Sequence, residues 1–236
     1  MTWHLSETRE LVERRFGRDQ LALARPCLKS VVDRQNFAAY HYQEAKALLA
    51  SFAEAHLTDK PLLYAVHGPE ADARAAFETT MIKLGAHAIA CVQSIHAIPD
   101  ILAHVFYYSL GVNLTNPMPE RAVSASSLYQ LLSPQPQFAA LGIALRSLTA
   151  DGQAPHLAAL ANQSKHRSLV QPLVNEDATG ERAERHELRF SSFVYGASVF
   201  PEVPLRALLE PEYERSSRIT VNSGEELNRV LSAVAL

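Results

Sequence analysis

The sequence predicts a mainly α protein: a helical bundle around one long central helix, with a small β-hairpin near the C-terminus. Three observations predict it. First, residues 73–110 carry Phe77, Met81, Leu84, Ala88, Cys91, Ile95, Ile98, Leu102 and Val105 at steps alternating four and three, the spacing of a continuous packing seam. At 1.5 Å per residue such a helix is roughly 55 Å long. Second, between Leu84 and Leu145 the only charged residues are Asp100, Glu120 and Arg121, so this part of the chain has to be covered by other helices. Third, HELRFSSFVYG (His186–Gly196) alternates Leu188, Phe190, Ser192 and Val194, a period of two in strand-forming residues.

The elements follow in order. Ser6 is expected to cap a short helix over Glu7–Phe16 that stops at Gly17. The next stretch, to Lys29, is mixed and contains Pro26. A second helix is expected from Ser30 to about Ala55, ended by Thr58, Asp59 and Pro61. Leu62–Val66 reads as an extended apolar linker. Gly68-Pro69 then opens the long helix, with Glu70 and Asp72 at its positive end.

Asn113–Glu120 reads as a loop. Helices over Ser124–Leu132 and Gln137–Leu148 are separated by Ser133, Pro134 and Pro136, and Asp151-Gly152 closes the second. Pro155–Leu169 is a further helix, and Asn175–Glu184 a polar loop. Ala197–Val203 is placed as the hairpin partner of the strand. A short turn or helix follows at Leu205–Leu209, between prolines. A last helix runs from Glu212 to Ala235, with Ser223 and Glu226 as a capping box that restarts it at Gly224. The division is an N-terminal arm (1–29), a bundle (30–175) and a β appendage with the C-terminal helix (176–236), one domain overall.

Composition narrows the function. The 236 residues are 47% hydrophobic and 20% charged, enough for a sizeable core, and the net charge of −3 gives no global basic field for nucleic acid or anionic lipid. The two cysteines, Cys27 and Cys91, form neither a disulfide framework nor a zinc pattern, and a reduced, cytoplasmic protein is expected. No signal peptide and no membrane span are expected, because the apolar region carries histidines and Asp100 and is interrupted by Pro99. The nearly charge-free helix makes a homodimer the expected assembly.

Two constellations carry the candidate polar site. His96, Asp100 and His104 stand at i, i+4 and i+8 of the long helix, a single polar stripe suited to a metal or a proton relay, or simply to solvent. Asn162, Lys165, His166 and Arg167 end a later helix, where cations suit an anion or merely complement the helix dipole. A buried Asp100–His166 contact would join the two.

The form SIHAIPDILAHVFY, followed downstream by a helix ending NQSKHR, resembles the HEPN-like helical bundles over roughly residues 30–170. That resemblance implies a helical bundle, often dimeric, in a group that includes RNA-cleaving toxins and defence proteins. Its active ribonucleases carry an Arg followed by a His with four to six residues between them. Arg34 and His41 are the one pair here with that spacing, and they lie in an early helix where the group's pair lies in a late one. The leading expectation is therefore a protein acting through a dimer or partner surface, with no metal and no cofactor. The alternatives are a metal-independent ribonuclease contacting RNA, with His166 or His41 as acid/base and Lys165 or Arg167 on the phosphate, and a His/Asp metalloprotein on His96, Asp100 and His104.

Overall fold

The computed structural model describes residues 2–182 and 184–233. The helices are α1 (Leu5–Phe16), α2 (Arg18–His56), α3 (Leu62–His67), α4 (Ala71–Ser109), α5 (Val112–Thr115), α6 (Ala125–Leu132), α7 (Ala139–Ala150), α8 (Ala154–His166) and α9 (Leu205–Ala233). The strands are β1 (Pro172–Glu176), β2 (His186–Phe190), β3 (Phe193–Tyr195), β4 (Ser198–Phe200) and β5 (Val203–Pro204). The architecture is mainly helical around a long helix, α4, with a small antiparallel strand set near the C-terminus, as the sequence indicates.

The chain packs as two units. One comprises Met1–Asn36, Ile95–Pro155 and Glu212–Leu236; the other comprises Phe37–Ser94 and His156–Pro211. The first unit holds a core drawn from α1 (Leu11, Val12), α2 (Leu21, Leu28), α4 (Leu102, Phe106), α6 (Leu128, Leu132), α7 (Leu141, Leu145) and α9 (Leu227, Leu231). The second has a smaller cluster of Phe52, Leu57 and Ala65, against which Phe77 packs.

Several elements differ from the sequence reading. Helix α1 starts at Leu5, with His4 in the capping position and no side-chain cap, so Ser6 lies inside it. Helix α2 begins at Arg18 and runs through Pro26 without a break at Ser30. A helical proline forfeits one backbone bond, and burial of Leu21, Ala24, Leu28 and Val31 on one face outweighs it. Leu62–His67 is a short helix, α3, with Pro61 in the position before its first turn. Val112–Thr115 is a single helical turn within the expected loop.

Part of the expected polar loop at Asn175 is strand β1, which pairs with β2 from Pro172↔Phe190 to Glu176↔His186. The strand expected over His186–Gly196 breaks at Ser191-Ser192 into β2 and β3. β2 also pairs with β5, while β3 pairs with β4 alone. Gly196 (φ 60°) and Ala197 close that hairpin between Tyr195 and Ser198. Positive φ at the first position only is the type II′ turn that matches strand twist. Helix α9 is continuous through Pro211 and Gly224, so Ser223 restarts nothing and is buried. The expected end of that helix, at Ala235, lies outside the described residues.

From Leu84 to Ser109 every apolar side chain of α4 larger than alanine is buried or half-buried, while Ile82, earlier in the helix, is 74% exposed. By length and composition alone α4 would also cross a membrane; 56% of its most apolar window is packed inside the chain.

Candidate functional site

The stripe on α4 has local structural work. Asp100 is exposed, and its Oδ1 accepts the Ala125 N–H at 2.9 Å. Ala125 opens α6, so the carboxylate sits at the positive end of that helix. Ser124 and Ser127 complete the start as a reciprocal capping box. The Nδ1 of His104 lies 2.9 Å from the backbone oxygen of Asp100, one turn earlier, so it donates there. His96 is half-buried in the same stripe.

The second constellation is the last turn of α8. Asn162 is half-buried, while Lys165, His166 and Arg167 are exposed, with the Arg167 N–H on the Gln163 oxygen at 3.0 Å. Cations here complement the negative helix end. Asp100 and His166 are each exposed, one at the start of α6 and the other in the last turn of α8. Among the described residues no group of three or more His, Cys, Asp or Glu side chains converges as a metal-ligand set. Burial pushes the Cys91 thiol up to about 12, and burial with the nearby Glu120 raises Cys27, so neither is a ready nucleophile.

Other polar groups are likewise engaged. Tyr42 donates its hydroxyl to Glu210 at 2.5 Å, and Arg206 holds the same carboxylate at 3.1 Å. Glu176 accepts the Leu62 N–H at 2.7 Å and so caps α3. A groove of about 480 Å³ beside the first residues is lined by Thr2, His4, Glu7, Glu225, Asn228 and Arg229. Its floor is paired within itself: Asn228 Nδ2 donates to Glu7 at 3.1 Å and to the His4 oxygen at 3.3 Å, and Thr8 donates to Asn228 at 2.6 Å.

Among the described residues, a pair of titratable side chains meets near the surface. His41 on α2 and His87 on α4 bring their Nδ1 atoms to 3.0 Å, with ring centroids 5.2 Å apart. The ring of Tyr40 stands edge-on to both, at 5.1 Å from His41 and 6.1 Å from His87. Both histidines are half-buried; Tyr40 is 55% exposed, and Phe37, one turn before it, is 50% exposed. No family model, curated protein or solved structure matches this chain. The assignment of a site therefore rests on geometry alone. His41 was legible as a candidate from its spacing to Arg34, but His87 was not. Only the antiparallel register of α2 against α4 brings it there, 46 residues along the chain. The apolar seam of α4, slid along that of α2, is the one sequence signal that points to this register.

A contact of this kind needs one ring to donate and the other to accept, so at least one imidazole is neutral. Burial, with His87 second, holds His41 below its usual 6.5. Burial alone lowers His156, whose ring lies 5.0 Å from Phe200 and 5.8 Å from Phe193. Burial also lowers His186, despite the Glu176 charge. In each case the unfolded chain takes the proton first. The folded state's advantage is then full above about 6.5 and is lost as the pH falls through that value. The urea midpoint should therefore drop between pH 7.5 and pH 5.5. A His156→Phe variant, which keeps an aromatic ring beside Phe193 and Phe200, should show a shallower drop. A midpoint flat across that range would contradict the assignment of neutral histidines.

Proposed function

We propose that the protein works by self-association, through the aromatic face of α2 around Tyr40, and not by catalysis. One observation carries this reading: Phe37 and Tyr40 present half-exposed rings one helical turn apart. Aromatic rings left in water at this density are what interface cores are made of. The occupant is a second copy, because a two-fold axis lets one aromatic patch pair with itself. Glu44, one turn beyond Tyr40, lies on the same face, while Lys46 points away from it, over the Tyr42 ring. The resemblance to often-dimeric bundles supports the same reading.

Sedimentation velocity from about 1 to 100 μM tests it, since micromolar affinity corresponds to about −8 kcal/mol. The expected result is a concentration-dependent dimer for the natural chain. Phe37→Glu with Tyr40→Glu should weaken it at least about 100-fold, the loss of two central anchors. A chain that stays monomeric throughout, or a double variant that dimerises unchanged, sinks the proposal. Cleavage of RNA by the purified protein, abolished in His41→Ala, would replace it with the ribonuclease reading.

A further inference from the structure

We propose that His41 and His87 form a surface site for a divalent transition-metal ion, ligated through their two Nδ1 atoms. The geometry carries the inference. A metal–imidazole bond is about 2.0–2.1 Å long, so two such ligands at a right angle have their nitrogens about 2.9 Å apart, and at a tetrahedral angle about 3.3 Å. The observed separation is 3.0 Å. In distance it fits two neighbouring positions of an octahedral or tetragonal ion, the geometry of Ni2+ and Cu2+, and of Zn2+ after a small opening; the centroids at 5.2 Å set the rings nearly end to end, so each ring tilts to aim its lone pair at the ion.

The rings are also prepared for the task. They come from two helices, α2 and α4, and Tyr40 stands edge-on to both. Glu44, three residues on in α2, adds a negative field at His41 that favours a cation.

In the metal-free protein the two Nδ1 atoms share one proton. Binding moves that proton to the Nε2 of the same ring through solvent, so both Nδ1 lone pairs face the ion and no net proton is released where both rings start neutral. Water fills the other coordination positions. The site lies on a single chain and stands independently of self-association.

Calorimetric titration of untagged, chelator-stripped protein with Ni2+, Cu2+ and Zn2+ chlorides tests it. The expected result is one ion per chain, with Ni2+ and Cu2+ held at least as tightly as Zn2+. His41→Ala and His87→Ala should each weaken binding at least about tenfold. His67→Ala and His166→Ala, exposed histidines elsewhere, should leave it unchanged. Circular dichroism of each variant confirms that it is folded. Should either ring's variant perturb the fold, broadening of the His41 and His87 imidazole NMR signals by substoichiometric Ni2+ in the natural chain decides the matter. No binding at about 100 μM ion, affinity indifferent to both site variants, or broadening only of other histidines would overturn the proposal.

Discussion

Arg215→Ala should remove about 3–5 kcal/mol of stability, the cost of stranding one member of a buried ion pair. Glu212 is only 2% exposed, and the Arg215 guanidinium meets both its carboxylate oxygens, at 2.5 and 2.9 Å. The pair also serves two helix ends. Arg215 donates to the Ser147 oxygen at 2.8 Å and the Leu148 oxygen at 3.4 Å, on the negative end of α7. Glu212 accepts the Gln153 N–H at 3.3 Å, just ahead of Ala154 at the positive start of α8. Between them Gly152 (φ 60°) turns the chain so closely that an added Cβ would lie 3.0 Å from Arg215. The alanine variant therefore leaves an unpaired buried charge and two open carbonyls. Chemical denaturation should show a lower midpoint with an unchanged slope. Arg215→Met combined with Glu212→Gln should lose clearly less, because no full charge is then left alone. Equal losses in the two variants would mean that the guanidinium's packing, and not the charge, is what matters.

Phe106→Ala should cost a comparable amount, about 3–5 kcal/mol, by a different route. Phe106 is fully buried on α4, in the core that α1, α2, α6, α7 and α9 also supply. Truncation loses the transfer energy of the ring and leaves a void that rigid helices close only in part. Phe106→Leu refills most of that volume and should lose less than half as much. If the alanine variant lost under about 1 kcal/mol, the core would be collapsing around the gap, contrary to the close packing inferred. The two predictions separate packing from electrostatics: raising the salt concentration should leave the Phe106 loss unchanged, while any salt-dependent part belongs to Arg215.

The long helix was legible because its seam continues for nine residues in unbroken alternation, and the structure ends it within two residues of the expected bounds. The charge-poor stretch pointed correctly to burial of the segment. What failed was punctuation. Pro26, Pro211 and Gly224 read locally as breaks, yet α2 and α9 run through all three. Each has a buried neighbour whose packing outweighs the local penalty: Leu28, Leu209 and Leu227. β1 was missed because Asn175 and Glu176 look like loop, while Pro172–Glu176 draws its order from pairing with β2. The histidine pair was half-legible, since spacing along one helix reveals one partner and helix register the other.

The seat of Trp3 has a consequence for how this molecule is watched. Trp3 is the sole tryptophan, and its indole lies so close over Gly224 that a Cβ there would fall 2.0 Å from the ring. Its Nε1–H donates to Thr8 at 2.8 Å. Intrinsic emission therefore reports on whether one ring is docked on the bare backbone of α9, and nothing in the β strands or at the histidine pair contributes a second indole. An optical melt and a far-ultraviolet melt would follow different events in the same tube, and a gap between the two curves would time the undocking of the N-terminal segment against the loss of helix.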